Sequence, residues 1–175
     1  MPTTRRRTAD RTSEETWAEL EQVARAASRR SAAIARRGTD AAAEGGAGST
    51  AGGPSTPPPA RGPRGAALLC RDGSVFAGAE LGGGDGVALS AERLAVYDAH
   101  LAGKAKFRVL LLRGGARGGQ DAGPPTSATL QVLFEFAPDL VVHWGTKTNP
   151  QGGRTVRELL PGAFGSGHLA GHREA

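Results

Sequence analysis

Apolar positions follow two different rhythms along the chain, and the stretch between them follows neither. From Ser13 onward, Trp17, Leu20, Val23, Ala24 and Ala27 fall at i, i+3, i+6, i+7 and i+10, the spacing of one helical face that needs a surface to cover it. Glutamates come early in this segment and arginines late, which suits the helix dipole, and Ser13 is placed to cap the first turn. The pattern predicts a helix over residues 13–37 that stops at Arg37-Gly38. Residues 38–65 then hold 8 Gly and 5 Pro among 28 positions, including Pro57-Pro58-Pro59, so a linker with a stiff polyproline patch is expected there. The polar, Arg/Thr-rich residues 1–12 and the last residues 170–175 read as disordered tails.

From Ala66 the rhythm becomes that of a folded α/β domain, expected over residues 66–169. Ala66 to Arg71 and Ser74 to Glu80 flank Asp72-Gly73, which predicts a β-hairpin with a type I′ turn. Ser90 is placed to cap a helix reaching about Gly103, with Leu94, Ala95, Tyr97, Asp98 and Leu101 on overlapping rows. Lys106 to Arg113 reads as a strand buried on both faces, because Val109-Leu110-Leu111-Leu112 has no polar alternation. Ser127 to Phe136 reads as a second helix and Asp139 to Trp144 as another strand. A turn is expected at Asn149 to Gly153, and a last strand or short helix over Arg154 to Leu159. The order β-β-α-β-α-β-β implies a three-layer αβα domain built on a five-stranded mixed sheet.

Composition narrows the function classes. The 22 Lys+Arg exceed the 17 Asp+Glu by five, and the pI is near 10.3. Only Lys104, Lys106 and Lys147 are lysines, however, and the arginines are scattered among abundant Gly and Ala. A nucleic-acid-binding face is therefore not expected. The single cysteine, Cys70, makes neither an internal disulfide nor a thiolate cluster, so a cytoplasmic setting is expected. No apolar run approaches the ~20 residues of a spanning helix, and no membrane association is expected. Arg5-Arg6-Arg7 precedes polar residues rather than an apolar stretch, which argues against an export signal.

Five fragments carry a family likeness. Gly65-Ala66-Ala67-Leu68, Asp72 to Gly78, Ala91-Glu92-Arg93-Leu94-Ala95, Gln131 to Phe136 and Glu158 to Phe164 resemble, in order and spacing, the small cytidine deaminases. The resemblance spans about residues 65–169. It implies zinc held between two helix starts, a glutamate shuttling protons, a nucleoside substrate and a homotetramer. Residue by residue, it puts Ser90 at the first ligand position, Thr126 and Thr129 at the two cysteines of the family's Pro-Cys-x-x-Cys, and Glu92 at the proton shuttle. Glu80-Leu81-Gly82-Gly83 stands where the family grips ribose, the aromatic that lines the base pocket is missing before Gly65, and Phe164 lies in the segment expected to close the pocket.

Neutral hydroxyls are outside the usual zinc ligand set of thiolate, imidazole and carboxylate, so no metal and no other cofactor is expected here. Zinc lowers the pKa of water by roughly 9 units, worth about 12 kcal/mol, which a lone Glu92 cannot replace. Three readings of the site follow. Ser90 and Thr126 serve as helix caps after catalysis was lost; Ser90, Thr126, Thr129 and Glu92 surround a pocket that holds a polar or anionic ligand, a nucleoside-type small molecule by family likeness; or Glu92 acts as acid/base in a metal-free reaction. The expectation is a catalytically silent, small-molecule-binding or assembly subunit, with the metal-independent enzyme as the alternative. The glycine-rich loops contain no phosphate-binding fingerprint, and His168 and His172, spaced i, i+4 near the C-terminus, are not expected to clamp a metal.

Overall fold

The computed structural model describes residues 12–44, 64–82, 88–114, 122–146 and 149–165. The expected tails, most of the linker and the His168/His172 pair lie outside the described residues. Helix α1 spans Glu14–Glu44, and Ser13 caps it by accepting from the Thr16 N–H at 3.2 Å. It runs past the stop expected at Gly38, because one glycine costs a helix only about 1 kcal/mol relative to Ala and the following residues 39–44 include three alanines. Strands β1 (Arg64–Cys70) and β2 (Val75–Ala79) form the hairpin. A short ribbon of β3 (Leu81–Gly82) and β4 (Ala88–Leu89) leads to α2 (Ala91–Leu101). Then come β5 (Phe107–Gly114), α3 (Ser127–Phe136), β6 (Val141–Gly145), β7 (Pro150–Thr155) and α4 (Val156–Leu159).

The main sheet has the order β2-β1-β5-β6-β7, with β5 and β6 parallel and the other neighbours antiparallel. This is the expected five-stranded mixed sheet, and α1 and α2/α3 cover its two faces. Alternation along β1 sorts its side chains between the layers. Ala67 and Leu69, with Val109 and Leu111 of β5, pack on Leu20 and Ala24 of α1. Ala66, Leu68 and Cys70, with Leu110 and Leu112, pack on Ala91, Ala95 and Ala99 of α2 and Leu130 and Leu133 of α3.

Two glycines set the spacing between layers. A Cβ on Gly65 would overlap the Ala24 carbonyl and the Ser28 nitrogen of α1, and one on Gly78 would overlap the Ala91 carbonyl of α2. α1 is also seated by charge. The Arg113 guanidinium grips the Glu21 carboxylate, with Nε 3.0 and 2.8 Å from its two oxygens.

Two turns differ from expectation. The Gly73 N–H donates to the Cys70 carbonyl at 3.2 Å and the Cys70 N–H to the Ser74 carbonyl at 2.9 Å. Residues 71–73 therefore form a three-residue loop with Gly73 at φ 89°, not a two-residue type I′ turn. The residues expected to turn, 150–153, instead belong to β7. Gly152 and Gly153 take φ of 91° and 75° where the β6/β7 register slips between Val142 and His143, a bulge that only glycines fit easily. Thr155 and Glu158 then form a capping box, so residues 156–159 are a helix rather than a strand.

Candidate helix-start site

The starts of α2 and α3 lie side by side under the sheet. Ser90 and Thr126 both adopt extended backbone just before their helices, with φ, ψ of −70°, 143° and −69°, 158°. The Ser90 hydroxyl accepts from the Arg93 N–H at 3.4 Å, and the Thr126 hydroxyl accepts from the Thr129 N–H at 3.3 Å. The Thr126 hydroxyl also donates to the Thr129 hydroxyl at 3.1 Å. The capping roles expected of Ser90 and Thr126 are thus present, and Thr129 joins the second cap through its own side chain. The Arg93 guanidinium donates to the Ala128 carbonyl at 2.9 Å, tying the first turn of α2 to the first turn of α3.

Glu92 sits in the first turn of α2 with no exposed surface. Among the described residues, neither of its carboxylate oxygens accepts a hydrogen bond. Its ionic partner among the described residues is Arg64, whose Nη1 stands 3.3 Å from Glu92 Oε1. The same guanidinium donates through Nη2 to the Gly123 carbonyl and, at 3.2 Å, to the Pro124 carbonyl just upstream of α3. One buried cation therefore joins the beginning of an inner strand, the start of α2 and the approach to α3.

The sequence pattern alone does not mark Arg64 as a site residue, because it falls at the end of a stretch that reads as linker. The structure instead makes it the first residue of β1 and buries it. The signal that could have found it is the period of two: Arg64 precedes Ala66, Leu68 and Cys70 on the face turned toward α2.

The other candidates lie less centrally. Glu80 ends the hairpin, its N–H donating to the Arg64 carbonyl at 2.9 Å and its carbonyl accepting from Ser31 at 2.7 Å. Phe164 is 56% exposed. Its backbone is held to α3 by the Gln131 amide, at 2.6 and 3.0 Å. His100 closes α2 and meets the Phe136 ring edge-on at 5.5 Å, and His143 meets Trp17 on the opposite face at 4.9 Å. Burial, with the nearby Arg113 charge, lowers the His143 pKa. A cleft lined by Cys70, Asp72, Lys104 and Lys106 opens at the far end of β1, about 20 Å from Arg64 at the rise of a strand. The described residues hold no group of three or more His, Cys, Asp or Glu suited to a metal ion, and no described helix is long and apolar enough to cross a membrane.

A mixed sheet backed by two helices that start side by side, with a buried glutamate in the first turn of one, defines the cytidine deaminase-like class of α/β proteins. The comparisons with known proteins agree. The chain is 36% identical over 102 residues to a cytidine deaminase of Halalkalibacterium halodurans, covering 57% of this chain and 75% of that one. The crystal structure of cytidine deaminase from Burkholderia pseudomallei shares the fold with a TM-score of 0.59 at 24% identity, over 87% of this chain and all of that one. The cytidine deaminase structure from Mycobacterium tuberculosis does so at 0.54 and 22%, over 85% of this chain and 97% of that one. No protein-family model matches the chain. On the strength of the Halalkalibacterium relative, this chain belongs to the cytidine deaminase family.

Proposed function

We propose that this chain is a metal-free member of its family that does not deaminate, and that it serves as a nucleoside-type small-molecule-binding or assembly subunit. The observation that carries this reading is the chemistry at the two helix starts. The family resemblance puts Ser90, Thr126 and Thr129 at the zinc-ligand positions, and hydroxyls of this kind do not fit zinc. Ser90 and Thr126 each accept a backbone N–H of their own helix, and Thr126 donates to Thr129. The net charge argues the same way. A dication beside Arg64 and Glu92 would leave two positive charges uncompensated in a buried place, where unpaired charge is costly.

The alternative is a metal-independent enzyme using Glu92 as acid/base. It is the weaker reading, because the Glu92 carboxylate is wholly buried and faces a guanidinium instead of open space. A general base must come within hydrogen-bond reach of the proton it takes. The substrate side points the same way: Glu80, Leu81 and Gly82 stand in the place of the family's ribose-gripping residues, and their backbone is spent on the hairpin end and the β3/β4 ribbon. The exposed Leu101, Phe164, Leu89 and Tyr97 support an oligomer, a tetramer by family likeness, in which apolar surface is covered by copies of the chain.

The test is elemental analysis and native mass spectrometry of freshly purified protein, run beside a cytidine deamination assay. Well under one zinc per chain and no cytidine turnover are expected. Stoichiometric zinc that survives dialysis, or metal-free turnover abolished by Glu92→Gln, would overturn the proposal.

A further inference from the structure

We infer that Arg64 is a resident cation that does, as part of the chain, the organising work a bound metal would do between the starts of α2 and α3. The inference rests on the metal-free reading above and explains how a site without metal ligands keeps its shape.

Three observations carry it. The first is selectivity of burial. Among the described residues only Arg64, Glu92 and Arg113 are charged and buried, and Arg113 is taken by Glu21 from the opposite layer. Arg64 is thus the cation available to Glu92. The second is reach. From one strand residue the guanidinium contacts the Glu92 carboxylate on α2 and two successive carbonyls, Gly123 and Pro124, ahead of α3. A planar fork with five donors can bridge a carboxylate and two carbonyls at once, whereas a lysine ammonium cannot cover the same spread. The third is cost. Both charges are out of water and neither Glu92 oxygen accepts a hydrogen bond among the described residues, so the pair is poorly justified as a stabilising device alone. A cation that neutralises Glu92 while fixing the loop before α3 accounts for both halves of its contact set.

Arg64 is therefore a positioning residue. Its guanidinium should be separable from the chain, as a metal is. The experiment removes the side chain by Arg64→Ala and supplies methylguanidinium at millimolar concentration, following thermal unfolding. The Arg64→Ala protein should unfold on the order of 10 °C below the parent chain, since removing one partner strands a buried charge. Methylguanidinium should raise its midpoint by several degrees in a saturable way, as binding to the folded state requires. It should leave the parent chain and the Arg64→Ala/Glu92→Gln double variant unmoved. Arg64→Lys should recover only part of the loss.

Should Arg64→Ala fail to fold, Glu92→Gln alone is compared with Arg64→Met/Glu92→Gln. The neutral pair should melt higher than Glu92→Gln, which leaves a buried guanidinium unpaired. Equal methylguanidinium effects in all variants, or a double variant no more stable than Glu92→Gln, would overturn the inference. The zinc content of the same preparations separates the two claims. Stoichiometric zinc in the parent chain rejects the metal-free reading, whereas a zinc-free parent without coupling between Arg64 and Glu92 rejects the resident cation alone.

Discussion

Replacing Glu21 by Gln removes the charge that seats α1 on the sheet while keeping the side chain's shape. The Arg113 Nη2 stands 2.7 Å from Glu21 Oε2, and the two side chains are 4% and 12% exposed. Deleting one partner of such a pair costs about 3–5 kcal/mol, because the survivor stays buried without compensation. Here Arg113 would keep its bonds to the Leu112 and Gly145 carbonyls, at 2.9 and 3.3 Å, and the Gln oxygen could still accept. A cost at or just below the lower bound is therefore expected, about 2–3 kcal/mol, or a Tm loss of about 4–12 °C for a chain of this size.

The pH dependence carries the sharper sign. Burial alone would raise the Glu21 pKa, but the hydrogen bonds from Arg113 and Arg25 outweigh it and hold the carboxyl below its ordinary value. A group depressed in the folded state contributes stability that is complete above its unfolded pKa and lost as pH falls through the folded one. The gap between parent and Glu21→Gln should thus be full at pH 7, begin to close near about pH 4 and vanish in stronger acid. Urea denaturation across that range measures it. A gap under ~0.5 kcal/mol at pH 7, typical of an exposed pair, or one that stays constant into acid, would refute the reasoning.

Gly78→Ala should cost at least about 2 kcal/mol, because the new methyl group meets the α2 backbone at Ala91 rather than a side chain that can turn away; a neutral result in chemical denaturation would mean that α2 is free to lift off the sheet. Light scattering at micromolar concentration should find an oligomer, with a tetramer expected, and Leu101→Glu, which charges an 87%-exposed leucine at the end of α2, checks whether that patch is part of the contact; a monomeric parent chain would reject assembly. Ser90→Cys, Thr126→Cys and Thr129→Cys together restore thiolates at unchanged spacing beside two helix N-termini, and the triple variant should take up zinc without recovering cytidine turnover. No uptake would reject the assignment of those three positions, and efficient turnover would reject the reading of residues 80–83.

What was legible in the sequence was local. The caps of α2 and α3 are signalled by Ser90 and Thr126 within three residues of the N–H groups they serve, and the α1 face is written in the spacing of Trp17, Leu20 and Ala24. Where two local signals compete, the reading slips. Gly38 reads as a stop although the alanines after it carry the helix on to Glu44, and Gly152-Gly153 reads as a turn although positive φ serves a bulge within β7 equally well. What depends on residues far apart was not legible. Arg64 and Glu92 are 28 positions apart, and Glu21 and Arg113 are 92 apart.

In a stretch rich in Gly and Pro, an arginine reads as solvated, because nothing nearby in sequence could neutralise it. Only the sheet supplies the reason to bury it. β1 begins two residues earlier than its apolar run, strand alternation turns position 64 toward α2, and Glu92 is the residue that α2 presents there. The same pairing bears on the site as a whole. Ser90 and Thr126 each accept a backbone N–H of their own helix, and the Glu92 charge is met by Arg64 from within the chain. Glu92 is buried against Arg64, and on the metal-free reading proposed above that pairing is what holds the two helix starts in place.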